Sequence, residues 1–222
     1  MTERVARILI ESFPKILLPG LKMTVPLTVL AFSLGLVIAV ITALIQYVKI
    51  PVIKEISRFY IWVVRGTPLL VQLFVVFYGL PSIGIITQPF PTAVLVFAIN
   101  EGAYAAETIR AALESIPHGQ LEAGLCVGMT RAQTMRRIIL PQAFRTAVPT
   151  LGNELISMVK DTSLAANITV MEMFMTTQRI NSVYYEPLAL YMEVGLIYLI
   201  FSTVLTKLQR LAEKKLASYG RR

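Results

Sequence analysis

The sequence predicts an all-α integral membrane protein with five transmembrane helices, its N-terminus outside and its C-terminus in the cytoplasm. Three observations predict this. Of the 222 residues, 55% are hydrophobic and 15% charged, with mean hydropathy +0.67, whereas a soluble domain carries about 25% charged residues. The apolar residues fall into runs of roughly 20, the length needed to cross a bilayer. The Lys and Arg residues gather in alternate connections between those runs, which is the pattern that orients a membrane chain.

The elements follow in order. Residues 1–20 form an N-terminal segment, with residues 3–18 expected as an interfacial helix along the membrane and Pro19-Gly20 turning the chain inward. The first span is Met23 to Val48. The second is Phe59 to Leu80, with Arg65 near its start. Pro68 lies inside it, where it lacks an N–H and disturbs the carbonyl of Val64. A kink there would free polar backbone. The third span is Pro91 to Leu113, which holds Asn100, Glu101 and Glu107. The fourth, Pro149 to Val170, holds Glu154, Lys160 and Asp161, and the fifth, Leu188 to Leu205, holds Glu193.

The first connection carries Lys49, Lys54 and Arg58. The second, Gly79 to Pro91, carries no Lys or Arg. The third carries Arg131, Arg136, Arg137 and Arg145. The fourth, Met171 to Pro187, has Arg179 alone, and the tail has Lys207, Arg210, Lys214, Lys215, Arg221 and Arg222. The first and third connections and the tail are therefore cytoplasmic. Arg4, Arg7, Lys15 and Lys22 run against this, which is why residues 3–18 are assigned to the interface. The permease domain spans 21–215, and 216–222 form a basic tail.

The formal net charge of +8 would suggest nucleic acid in a soluble protein. Here the bases sit at the ends of apolar runs and point to topology instead, with no nucleic-acid partner. One cysteine, Cys126, and one histidine, His118, give no disulfide framework, no metal site and little for an enzyme to work with. No cleavable signal peptide is expected.

The third connection, 116–142, is the most polar internal stretch. Ser115-Ile116-Pro117 should end the third helix, since proline disfavours helix in the residue before it. His118-Gly119 should turn, and a short helix should run from Gln120. Gly124 and Gly128 lie four apart on one side of it, where another surface could approach closely. Either this is a solvated loop that only sets topology, or it is a docking surface.

Its spacing resembles a known motif. Glu122-Ala123-Gly124, three residues, Gly128, nine residues, then Ile138-Ile139-Leu140-Pro141 is similar to the EAA loop of ABC importer permeases. Gly124 stands for the second alanine, one small residue for another. Further stretches resemble the polar amino acid branch, the histidine, glutamine, arginine and cystine permeases. They are Arg65-Gly66-Thr67-Pro68-Leu69 with Gln72, Tyr78-Gly79-Leu80-Pro81, Gly102-Ala103-Tyr104 with Glu107, Pro117 with Gly119, and Lys160-Asp161-Thr162-Ser163-Leu164. The likeness covers roughly 15–215. It implies the type I ABC importer permease fold in a bacterial cytoplasmic (inner) membrane. It also implies two ATPase subunits that bind ATP and Mg, a second permease subunit in a likeness to homodimers, and an extracellular or periplasmic substrate-binding protein. This chain would bind no cofactor and have no catalytic site. Gly79 and Gly84 have Walker A spacing, but Ile85-Ile86 stands where Lys-Ser/Thr is needed.

The resemblance implies roles for residues. Glu122, Ala123, Gly124, Gly128 and Arg131 would couple to the ATPase, with Gly128 permitting the turn after the helix. Cys126 and Met129 would fill the cleft with apolar bulk. Asn100, Glu101, Tyr104, Glu154, Asp161, Thr162, Ser163, Thr67 and Leu70 would line the substrate path. Physical reasoning supports part of that set. A charge inside a membrane costs about 2.5–3.5 kcal/mol on insertion scales. Glu101 lies ten residues into the third span, roughly 15 Å deep at ~1.5 Å per residue. Asn100, Glu101 and Tyr104 share one broad helix face. Two mid-membrane acids suit a basic amino acid (arginine, lysine or histidine) or cystine. Equally, Glu101 and Glu154 could be neutral or paired with Lys160. Glu107 and Arg110 are expected to form a structural pair. Thr162-Ser163 could break the fourth helix and offer backbone groups to a carboxylate, or Lys160 could pair with Asp161. The rival class is an ATP-independent amino acid carrier or channel, which leaves the EAA spacing without a task.

Overall fold

The computed structural model describes residues 3–48 and 51–218. Lys49, Arg221 and Arg222, used above to argue orientation, and residues 219–222 of the tail lie outside the described residues.

The chain is helical almost throughout. Helix α1 (Glu3–Pro19) runs through a π-helical turn, Gly20–Thr24, into α2 (Val25–Val48). The turn expected at Pro19-Gly20 does not form. Pro19 has φ −58 and ψ −32 and is simply helical. Gly20 is buried there, where a Cβ would come within 2.6 Å of Met173 Sδ and 3.2 Å of Phe201. Glycine serves close packing at this point rather than a change of direction. The side chains of α1 pair in sequence with α10 (Pro187–Ser218) and the residues just before it. The Arg4 guanidinium donates to the Tyr184 carbonyl at 3.2 Å, and Ser12 bonds Glu193. With Gly20 against Phe201, the two helices run side by side in the same direction.

Helix α3 (Pro51–Gly66) starts earlier than the span expected from Phe59 and takes up Lys54 and Arg58. It then breaks at Thr67-Pro68. Pro68 is extended (ψ 136) and caps α4 (Leu69–Phe74), which continues as a π turn, Val75–Gly79, and a 3₁₀ turn, Leu80–Ile83. The two halves meet at 104°. The stretch expected as the second span is therefore a sharply bent pair and not one kinked helix.

Helix α5 (Pro89–Glu114) is the centre of the molecule, packed along α2. Small residues let the backbones approach. A Cβ on Gly35 would lie 2.9 Å from Glu101 Cβ, and one on Gly102 would lie 2.7 Å from Ile38 Cγ2. Ala31 and Ala39 on α2 and Ala98, Ala103 and Ala105 on α5 are buried at the same seam. This is how helices pack where lipid is as apolar as leucine. Then come α6 (His118–Cys126), α7 (Arg131–Thr134), a π turn at Met135–Ile139, and α8 (Leu140–Asp161). The fourth expected span thus begins about nine residues before Pro149 and ends in a 3₁₀ stretch, Thr162–Ile168. Helix α9 (Met173–Tyr184) is capped by Glu172, which accepts from the Phe174 and Met175 amides at 2.8 and 2.6 Å.

By length and composition, Glu3–Val48 and Pro187–Leu216 are each able to cross a membrane, and the bent pair is a third if taken as one span. Helices α5 and α8 are long enough, but no membrane-length stretch of either is as apolar.

Candidate functional site

Freed backbone at a helix break must find partners. At the break between α3 and α4, Thr67 Oγ1 donates to the Val63 carbonyl at 2.9 Å, and Gln72 supplies the rest. Gln72 Nε2 donates to the Val64 carbonyl at 2.7 Å, to the Thr67 carbonyl at 3.1 Å and to Thr67 Oγ1 at 2.9 Å. Its Oε1 accepts from Asn100 Nδ2 at 3.2 Å, which ties the break to α5. The carbonyl that Pro68 was expected to free is therefore already satisfied.

The bend opens a cavity of about 550 Å³ against α5 and α8. Thr67, Asn100, Glu101, Tyr104, Glu154 and Asp161 line it, and each was expected from the sequence. Three expected residues are elsewhere. Thr162 is fully buried and donates to the Val159 carbonyl. Ser163 lines a separate cavity with Lys160 and Tyr198. Leu70 is not in the wall. The 3₁₀ turn keeps Thr162 and Ser163 in helix. Sequence reasoning missed Arg65 and Ser157, both in the wall. The cost of a charge in an apolar run would have found Arg65. Ser157 lies three residues after Glu154 and four before Asp161, on the same face of α8.

The acids meet one another. Glu101 is 8% exposed and shares the cavity wall with Glu154. Thr108 donates to Glu154 Oε1 at 2.7 Å. Glu101 Oε1 and Glu154 Oε2 are buried with no hydrogen-bond partner among the described residues. Lys160 forms no ion pair among the described residues with either acid or with Asp161. The Glu107–Arg110 pair does form, at 2.8 and 3.0 Å, and Arg110 also reaches Glu114 at 2.7 Å.

The EAA segment forms a compact unit packed on the ends of α5 and α8. Pro117 is extended, and α6 starts directly at His118, so the His118-Gly119 turn is replaced by the first turn of helix. Gly128 has φ +82, and the Met129 and Gly128 amides bond to the carbonyls of Gly124 and Leu125 at 3.0 Å. That is a Schellman ending, which wants glycine. Thr130 and Gln133 then make a capping box that starts α7. Gly124 is packed by its own chain, for a Cβ there would lie 2.5 Å from Thr134 Cγ2. The close approach expected at Gly124 is thus internal. Glu122, Ala123 and Arg131 are exposed, as are Leu125 and Val127 (40% and 76%). No group of three or more His, Cys, Asp or Glu among the described residues could hold a metal ion.

Residues 31–218 match the family described as "Binding-protein-dependent transport system inner membrane component". The chain belongs to that family. It is the non-catalytic membrane subunit of an ABC importer, resident in the inner membrane, and ATP is hydrolysed on a partner subunit. The resemblance to amino acid permeases holds. The chain is 45% identical over 210 residues to the L-cystine transport system permease protein TcyB of Bacillus subtilis, covering 94% of this chain and 90% of that one. It is 36% identical to the nopaline transport system permease protein NocM of Agrobacterium fabrum, covering 93% and 90%. Among solved structures, an amino acid ABC transporter with histidines superposes with TM-score 0.87 at 36% identity, covering 93% of this chain and 96% of that one. The inward-facing MetNI methionine transporter, at 16% identity and TM-score 0.75, shares the fold. Nothing in these likenesses favours a channel or an ATP-independent carrier.

Proposed function

We propose that this permease carries an amino acid with more than one cationic group, a basic amino acid or cystine, through the cavity between the α3–α4 bend, α5 and α8. The observation that carries the reading is the pair of buried carboxylate oxygens in the cavity wall, Glu101 Oε1 and Glu154 Oε2, that have no hydrogen-bond partner among the described residues. An ammonium or guanidinium brings two or more N–H groups and satisfies both. The cystine permease TcyB adds weight to cystine within this class.

In the proposed cycle a binding protein delivers the amino acid from outside and two ATPases close on ATP. The helix α6, seated in an ATPase cleft, carries that closure to the membrane helices. Five spans serve: α1–α2, the α3–α4 pair, α5, α8 with its 3₁₀ extension, and α10. The N-terminus is outside and the C-terminus cytoplasmic, and two copies of this chain pair as a homodimer. Glu122, Ala123 and Arg131, with Leu125 and Val127, supply an exposed charged and apolar docking face.

The test is affinity purification from native membranes in mild detergent, with ATP hydrolysis measured on the eluate. An ABC ATPase is expected to come down with the wild type. Glu122→Ala should lower both its recovery and substrate uptake about tenfold, the size of one lost charge-assisted contact, while the permease still elutes as a folded species. Wild-type uptake by Glu122→Ala would remove α6 from the coupling path.

A further inference from the structure

The cavity wall contains three carboxylates, Glu101, Glu154 and Asp161, and one basic side chain, Arg65. An amino acid also has a carboxylate, and a wall of acids alone would repel it. Arg65 is held in an unusual way. Its guanidinium carbon sits 5.1 Å from the centroid of the Tyr104 ring, a cation–π contact. Its Nη1 is 3.6 Å from Glu107 Oε2, beyond hydrogen-bonding length for such a pair. No hydrogen bond from the Arg65 side chain occurs among the described residues, and the side chain is 41% exposed.

Glu107 does not depend on Arg65. Arg110 already binds it through Nε at 3.0 Å and Nη2 at 2.8 Å, in a fork-to-fork pair. Removing Arg65 from Glu107 therefore leaves no carboxylate unpaired. The asymmetry matters because breaking a buried pair is costly when one charge is orphaned. Tyr104 meanwhile keeps the guanidinium at the cavity wall without consuming its in-plane donors.

We propose that Arg65 recognises the substrate carboxylate, exchanging its long contact with Glu107 for a bidentate pair while Glu101 and Glu154 take the cationic end. This rests on the cavity being the transport site. Tyr104 is then the platform that sets the angle of the guanidinium, and Glu107 is a parking place that fills and empties with substrate. The wall reads a zwitterion by its two ends: acids on α5 and α8, the base at the end of α3.

The experiment uses the permease–ATPase complex in nanodiscs without a binding protein, so that the permease itself does the selecting. Equilibrium binding is measured for two matched pairs, L-cystine with cystamine and L-arginine with agmatine, each amine lacking the carboxylate. Wild type should bind each amino acid at least tenfold more tightly than its amine, as one charged bidentate contact allows. Arg65→Gln should lose that preference by weakening the amino acids and leaving the amines unchanged. Arg65→Lys keeps the charge without the fork and should retain part of the preference; it also serves if Arg65→Gln does not fold. Equal weakening of amino acid and amine in both variants would make Arg65 structural and overturn the inference, with the transport cavity still standing. Failure of wild type to bind any of the four probes would overturn the cavity reading and this inference with it.

Discussion

At the scale of single residues, the cavity rests on a few side chains whose chemistry was partly legible in advance. Glu101, Glu154 and Asn100 stood out because polar groups are rare inside apolar runs. Glu154→Gln should weaken uptake of arginine or cystine by about tenfold and that of glutamine by much less, since the amide keeps the Thr108 hydrogen bond and loses only the charge. Competition uptake with labelled substrate measures this, and equal losses for both classes would take Glu154 out of the selectivity. Thr162 and Ser163 were misplaced for a geometric reason. Glu154 and Asp161 are seven residues apart, almost two helical turns, and so share a face. The next two residues rotate off that face, and the switch to 3₁₀ winding keeps them in helix. Arg65 was overlooked because it sat inside a motif, although its charge within an apolar run was the same signal that marked the acids.

At the scale of elements, Pro68 announced a kink, but the full break and its angle of 104° depend on contacts that no local pattern contains. Gln72 reaches back eight residues to Val64 and sideways to α5. Gln72→Leu should orphan the Val64 and Thr67 carbonyls and lower stability by about 1–3 kcal/mol, read as a fall in the detergent melting temperature. An unchanged melting temperature would mean the break is held by packing alone. Pro19-Gly20 gave the opposite lesson. The dipeptide is a strong turn signal in isolation, yet Met173 and Phe201 crowd Gly20 and the helix continues. Gly128 was legible because a left-handed residue closing a helix demands glycine almost regardless of what surrounds it.

At the scale of the whole molecule, the fold family was legible from motif spacing, whereas direction across the bilayer is an argument from charge alone. Single cysteines in a Cys126→Ser background test it. A membrane-impermeant maleimide should label Ser82→Cys in intact cells and Thr130→Cys only after permeabilisation. The reverse pattern would invert the topology and put α6 on the wrong side for an ATPase.

The pairing of α1 with α10 has a consequence in time. Ser12 and Glu193, both buried, meet across 181 residues of chain. Synthesis at about 5–20 residues per second takes roughly 10–40 s for the stretch between them. Helix α1 must therefore wait for α10 before this part of its inner face is covered. A ribosome that stalls before α10 would leave Ser12 without Glu193 and Ile16 without Val194 and Ile197, a mark by which quality control tells such a chain from one that carries α10.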